Sequence, residues 1–386
     1  MWRHARPFLI ASLLLLIVYT LFFWRLGSMT SGLGPAEYAS RQNSQDSEQI
    51  ISRGINAPYH LTQHAFSLLI KDSIFGLRLA SVVFGLVILV FLFLLLRSWF
   101  GKSVALFAGL VFAATPWLIV TARTASPNIL LLWPVVMVAG FVLMNRSKRH
   151  PGPWWLLLAL AIGVGVYTPG IIWVLLGGGL VASRRFLLNA NRMSRLYLAG
   201  GLTIVILLIS PLAISLALES SRLKSLFLIP DNWLPAVESL KSVGWSAASL
   251  FWSTRNHVDI GIGRLPVLNI LQVVLMVFGL YALSSRARNI TYGLLGLLVF
   301  SILAAGVNAD PHVLILGLPA AAILMAAGLR YLYIEWRHVF PLNPFAHSMA
   351  LGLISLVVAA SLLYGARYSL TAWPHSAEAK SSYVLK

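Results

Sequence analysis

The apolar positions of this chain run in long unbroken stretches, with no sustained alternation of period 2 or 3.6. Crossing ~30 Å of hydrocarbon takes about 20 apolar residues. Eleven stretches approach that length, near 8–24, 74–96, 103–121, 128–144, 154–166, 170–182, 197–217, 265–284, 291–307, 312–329 and 348–366. The pattern predicts an all-α polytopic membrane bundle of about 11 transmembrane helices. The fifth and sixth stretches are short, and Tyr167-Thr168-Pro169-Gly170 between them reads either as a turn or as the break in one long kinked span, which makes ten the rival count. No small-x-small cleavage site follows the first stretch before Gly27, so it reads as a retained helix. Residues 1–366 are expected to form a single membrane domain and 367–386 a C-terminal tail.

Two long polar segments, 27–73 and 218–264, interrupt the spans. In the first, Pro35 followed by helix-favouring residues predicts a helix start with Glu37 in its first turn, where the dipole favours a carboxylate. Asn56-Ala57-Pro58-Tyr59 predicts another, over about 58–70. Along it His60, Gln63, His64, Ser67 and Lys71 form a polar stripe, and Leu61, Ala65, Leu68 and Leu69 face the other way. This is the pattern of a helix lying in the membrane interface, with its histidines solvated. His60 and His64 have the i, i+4 spacing of a metal pair, but no third ligand is evident and no metal site is expected.

Charge orients the bundle. Fifteen basic residues, from Arg3 and Arg6 through Arg97, Lys102, Arg146, Lys148, Arg149, Arg184, Arg185, Arg192, Arg195, Arg286 and Arg288 to Arg330 and Arg337, lie in one set of short segments, whereas ten of the eleven acids lie in the other set. The positive-inside rule makes the basic set cytoplasmic, with the N-terminus inside and any carboxylate chemistry on the outer face; the expected location is the plasma (inner) membrane. A hydrophobic share of 59% and a charged share of 10% exclude a soluble domain. The net charge of +18 is a topology signal, since the basic residues are dispersed at helix ends and no nucleic-acid patch forms. With no cysteine, a disulfide framework, a thiolate metal site and a cysteine nucleophile are excluded.

Several strings occur in a telling order. They are G-L-G-P-A-E-Y-A (32–39), N-A-P-Y-H-L (56–61), F-G-L-R-L-A-S-V-V-F-G (75–85), A-A-T-P-W-L-I-V-T-A-R-T-A-S-P-N (113–128) and H-V-L-I-L-G-L-P-A-A-A-I-L-M-A-A-G-L (312–329). Together they resemble the GT-C membrane glycosyltransferases, specifically the family of dolichyl-phosphate-mannose protein mannosyltransferases and bacterial lipid A aminoarabinose transferases. The resemblance is good over 1–145 and looser afterwards. It implies attack of an acceptor on the anomeric carbon of a polyprenyl-phosphate-linked sugar, with membrane lipids as partners and no certain cofactor beyond that lipid-linked donor; a divalent metal is left open.

Such chemistry needs a base near the nucleophile and cations near the departing phosphate. In the family the first outer loop carries an Asp-Glu pair and a second acid often precedes the fourth helix. Here these positions read Ala36-Glu37 and Asn128, so two carboxylates are missing. Glu37 remains the candidate base. Arg78, Arg123, Arg255 and Arg264 are the expected donor-phosphate ligands, with Arg78, Arg123 and Arg264 converging with Glu37 in one outer cavity. His60, His64, Asn128, His257, Asp259 and Asp310 are the cavity or acceptor candidates. Three readings follow: a glycosyltransferase, a catalytically silent lipid-binding or scaffold relative, and a lipid or small-solute transporter. The third is disfavoured because the spans carry almost no mid-membrane polar residues.

Overall fold

The computed structural model describes residues 2–71, 73–147, 149–253 and 265–385, with side chains from Phe8 onward. Helix α1 (Trp2–Val18) runs into a π-helical turn, Tyr19–Phe23, and the first loop then folds into α2 (Pro35–Asn43), α3 (Ser47–Arg53) and α4 (Ala57–Leu69). There follow α5 (Ile74–Phe100), α6 (Lys102–Ala113), α7 (Pro116–Arg123), a 3-10 segment Pro127–Leu132 and α8 (Pro134–Arg146). Next are α9 (Gly152–Gly165), α10 (Ile171–Ala190) and α11 (Arg195–Leu218), with α12 (Ser221–Leu226) and α13 (Ala236–Phe251) in the second loop. Helices α14 (Ile270–Arg286) and α15 (Arg288–Val307), a 3-10 segment Pro311–Gly317, α16 (Leu318–Val339), α17 (Pro344–Ala366) and α18 (Ala377–Ser382) complete the chain. Among the described residues there is no strand, only one isolated bridge between Leu33 and Leu385.

Among the described residues, seven helical segments are long and apolar enough to span a membrane. The pair α6 and α7, bent by 68°, makes an eighth candidate, and three shorter apolar helices, Phe8–Phe23, Pro151–Gly165 and Ile270–Arg286, accompany them. The chain is a multi-pass helical membrane protein. The apolar stretch near 103–121 is a broken helix rather than one continuous one. The break occurs because Pro116 has no N–H to donate and pushes Thr115 into extended backbone (φ −65°, ψ 121°). The Tyr167–Gly170 segment behaves as a turn at helix ends: Asn56 N–H donates to the Tyr167 carbonyl at 2.9 Å and Gly170 N–H to the Leu226 carbonyl at 2.9 Å, one partner from each long loop.

Helix α16 is the axis of the core, with Leu318 to Leu329 buried without interruption. Its small residues let α14 approach at backbone distance: a Cβ on Gly279 would lie 1.8 Å from the Leu324 carbonyl oxygen, and one on Gly328 1.9 Å from that of Leu275. The tail returns to the first loop. Leu33 and Leu385 exchange backbone hydrogen bonds of 2.7 and 3.2 Å, Ser31 Oγ donates to the Tyr383 carbonyl at 2.8 Å, and Trp373 meets the Tyr383 ring edge-on. Loop and tail therefore share one end of the bundle.

Helix α4 forms where expected, but its polar stripe points the other way. His60 and Gln63 are buried against α2, while Leu68 and Leu69 are 70% and 76% exposed on the outside. Hydrocarbon around the bundle rewards apolar residues outside, so the polar ones turn inward and bond one another. Ser44 Oγ lies 2.8 Å from His60 Nδ1 and 2.5 Å from Gln63 Oε1, Ser40 Oγ donates to Gln63 Oε1 at 2.9 Å, and His64 Nδ1 lies 2.8 Å from the Ser44 carbonyl.

Candidate active site

The local sequence of the first loop decides what Glu37 does. Pro35 opens α2, so Glu37 falls at its third position and turns back on the helix start: its Oε2 accepts from Gly34 N–H at 3.2 Å. Arg78, in the first turns of α5, grips the same carboxylate with both branches, Nε to Oε1 at 2.8 Å and Nη2 to Oε2 at 2.9 Å. Ala125 N–H, just beyond α7, donates to Oε1 at 2.8 Å. Four donors thus saturate a carboxylate that is 1% exposed. Arg78, fully buried, also donates to the carbonyls of Leu26 and Gly32 and to Thr30 Oγ1.

Glu37, expected as a base, and Arg78, expected as a phosphate ligand, are thus held by one another in this structure. Each is neutralised by the other, and the pair joins the first loop, α5 and the α7 turn. Arg123 is likewise employed in the scaffold. Its Nη1 and Nη2 donate to the carbonyls of Leu21 (3.0 Å) and Trp24 (2.6 Å), which the end of the first helix leaves without intrahelical donors. Neither arginine lines the two large cavities at this end of the bundle. Arg255, Arg264, His257 and Asp259, together with Asp72, lie outside the described residues.

What the fold does bring together is a pair of 3-10 segments, packed side by side, each opened by an X-Pro step and an N-cap. Ser126 Oγ accepts from Asn128 N–H at 3.4 Å, and Asp310 Oδ1 accepts from His312 N–H at 2.9 Å. Non-helical backbone at membrane depth is tolerated where it is buried in protein or lines a cavity, and these segments do both. Asn128 and His312 line the same cavity of about 540 Å³, with Ala36, Ser40, Asn43, Asn56, His60, Arg53 and Arg222. A second cavity of about 440 Å³ abuts it across Asn56, Pro127 and Asn128 and is lined by Thr168, Asp231, Asn232, Asn308 and Asp310.

Of the expected site residues, the structure gathers His60, Asn128 and Asp310 around these cavities, whereas His64 lies on the wall behind, bonded to Ser44. His60 is neutral. Burial, which disfavours its charged form, holds its pKa down to about 4, with Arg53 acting in the same direction. Sequence reasoning missed Arg53, Arg222 and His312. Arg53 Nη1 donates to Asn43 Oδ1; Arg222 Nη1 donates to Ser215 Oγ at 2.6 Å and Nη2 pairs with Glu219 at 2.5 Å. These two lie in separate loops with no motif linking them. His312 heads one of the strings that carry the family resemblance, and its Nδ1 sits 2.8 Å from Asp310 Oδ1. Among the described residues no group of three or more His, Asp or Glu is placed to hold a metal ion.

The comparisons agree with this architecture. The apo structure of ArnT from Cupriavidus metallidurans superposes with a TM-score of 0.60 at 16% identity, over 99% of this chain and 78% of ArnT. The fold is that of the GT-C membrane glycosyltransferases. Residues 58–214 match the sequence profile of the dolichyl-phosphate-mannose-protein mannosyltransferase family. ArnT bound to undecaprenyl phosphate superposes with a TM-score of 0.55 at 16% identity, over 96% of this chain and 77% of that one. The archaeal oligosaccharyltransferase AglB from Archaeoglobus fulgidus, in complex with an inhibitory peptide and a dolichol-phosphate, gives 0.54 at 14% identity; this chain is covered to 92% and spans 55% of AglB. At these identities the likeness is one of fold. Comparison with curated proteins by sequence finds no match. Within the GT-C frame, Ala36 and Asn128, the two positions where the family would place acids, both line the larger cavity.

Proposed function

We propose that the protein is a membrane glycosyltransferase that moves a sugar from a polyprenyl-phosphate carrier to an acceptor at the outer face. The carrying observation is the pair of abutting cavities at the loop-bearing end, which combine two arginines with an imidazole–carboxylate pair. Support comes from the GT-C fold shared with ArnT, which has been seen with undecaprenyl phosphate, and AglB, seen with a dolichol-phosphate. The basic segments containing Arg146, Arg286 and Arg330 gather at the opposite end, which favours a cytoplasmic N-terminus and an outer-facing site.

In this reading Arg53 takes the donor phosphate, a task that suits the guanidinium fork, and Arg222 joins it by exchanging its Glu219 partner for a phosphate oxygen. His312 accepts the acceptor's proton. Asp310 bonds its Nδ1, which orients the ring and favours the tautomer whose Nε2 carries the lone pair. The asparagines and Asp231 of the second cavity supply hydrogen-bonding groups for sugar hydroxyls. The silent-relative reading has one observation in its favour, the absence of a carboxylate at Ala36 beside a sequestered Glu37.

The test uses the purified protein in nanodiscs. Undecaprenyl phosphate should bind, and Arg53→Ala with Arg222→Ala should weaken it. A panel of polyprenyl-phosphate sugars should give transfer that falls by about 10²–10⁴ in His312→Ala. Binding without transfer from any donor would establish the silent relative, and absence of binding would overturn both readings.

A further inference from the structure

The end of the bundle opposite the active site holds a third cavity, of about 290 Å³, that the reaction does not use. Three arginines from three different helices line it: Arg146 at the last residue of α8, Arg286 at the last residue of α14, and Arg330 in α16. Arg330 Nη1 donates to the Trp99 carbonyl at 3.0 Å, which fixes that guanidinium at the wall. Arg146 and Arg286 make no side-chain hydrogen bond or ion pair among the described residues. No carboxylate lines the cavity either. Glu335, the one acid in the basic segments, faces His338 at 4.0 Å.

Positive charge at cytoplasmic helix ends is ordinary, and it would explain arginines scattered around a rim. It does not require three of them to share one concave site with no carboxylate among its described lining residues, where their mutual repulsion raises the energy of the empty cavity. An anion there relieves the repulsion, and guanidinium forks match phosphate oxygens.

The rest of the wall identifies which phosphate. Trp99, Leu283, Tyr331 and Ile334 are apolar or amphipathic and unsuited to a free, fully hydrated anion. Above the cavity, Phe278 and Tyr281 of α14 pack on the Tyr331 ring, with centroids 6.2 and 5.5 Å away. With Val274 and Val277 they form a track of exposed apolar surface, 37–65% accessible, running up α14 toward the membrane middle. We propose that this cavity binds an anionic phospholipid of the cytoplasmic leaflet, its phosphate between Arg286, Arg330 and Arg146 and an acyl chain along the α14 track. Basic pockets between spans on that side are where acidic headgroups are held. The site is independent of the polyprenyl-phosphate reading, because it lies at the other end of the bundle.

The full-length protein, delipidated in detergent and titrated with phosphatidylglycerol or phosphatidylcholine, tests the proposal by native mass spectrometry. Wild type should retain phosphatidylglycerol preferentially. Arg286→Gln and Arg330→Gln should each weaken it by about 10- to 100-fold, the value of one charge-assisted hydrogen bond. Arg184→Gln, an exposed arginine of α10 outside the cavity, should change nothing. Size-exclusion profiles and circular dichroism establish that the variants are folded, and Ile334→Trp, which fills the cavity without altering charge, should also exclude the lipid. Equal retention of both lipids, or equal loss in Arg184→Gln, would overturn the site. Displacement of the lipid by millimolar inorganic phosphate would overturn the lipid assignment in favour of a soluble anion.

Discussion

Glu37→Gln separates a catalytic carboxylate from a structural one. In the wild type four N–H donors, two from Arg78 and one each from Gly34 and Ala125, converge on the two carboxylate oxygens. An amide presents one acceptor oxygen and an NH2 whose hydrogens would face donors, and since each oxygen accepts two of the four donors, two contacts become donor–donor clashes and Arg78 is left as a buried cation without its carboxylate partner. Removing one partner of a buried pair typically costs about 3–5 kcal/mol. The loss should appear as destabilisation against denaturant in detergent, followed by tryptophan fluorescence. Arg78→Gln should be similarly destabilised, and the double variant should lose about 0.5–3 kcal/mol less than the sum of the singles, because the pair acts as one unit. Per folded molecule, polyprenyl-phosphate binding should persist in Glu37→Gln. A Glu37→Gln protein as stable as the wild type whose sugar transfer falls by about 10²–10⁴ would refute this reasoning and restore Glu37 as the base.

His60 gives a pH dependence. Its folded pKa of about 4 lies below the ordinary 6.5, so between those values the unfolded chain takes up a proton that the folded one refuses. Stability should therefore fall as pH drops through that window, by at most about 1.4 kcal/mol per pH unit, and His60→Gln should flatten the slope in unfolding measurements. Gly279→Leu and Gly328→Val should fail to give folded protein, as judged by monodisperse yield, since each added Cβ would fall within 2 Å of a facing carbonyl oxygen; Gly177→Ala, with nothing within 4 Å, should be tolerated. Truncation after Ala372 removes the Leu385 bridge and the Tyr383 contact, so trypsin should cut the 27–73 loop faster than in the full chain.

The sequence alone determined the all-α membrane bundle, the two long loops, the helix starts at Pro35 and Ala57 and the segregation of basic ends from acidic loops. These are properties of consecutive residues: run length, an X-Pro step, the sign of charge in a short segment. It also carried the family resemblance, and with it the expectation of acids at positions 36 and 128, where Ala36 and Asn128 stand. Which way a polar stripe faces is not a local property. The stripe of α4 satisfies the periodicity of an interfacial helix in either orientation, and the hydrocarbon outside, together with Ser40 and Ser44 inside, turned His60 and Gln63 inward. Nor could spacing reveal that Glu37 and Arg78 consume each other's charge, since they stand 41 residues apart and meet through the docking of the first loop on α5. Arg53, Arg222 and His312 carry no shared signal because they belong to three separate segments. The packing of one 3-10 turn against another is what brings His312 and Asn128 to one cavity. Charge pairing and cavity lining are sums over distant parts of the chain, and only the folded bundle evaluates them.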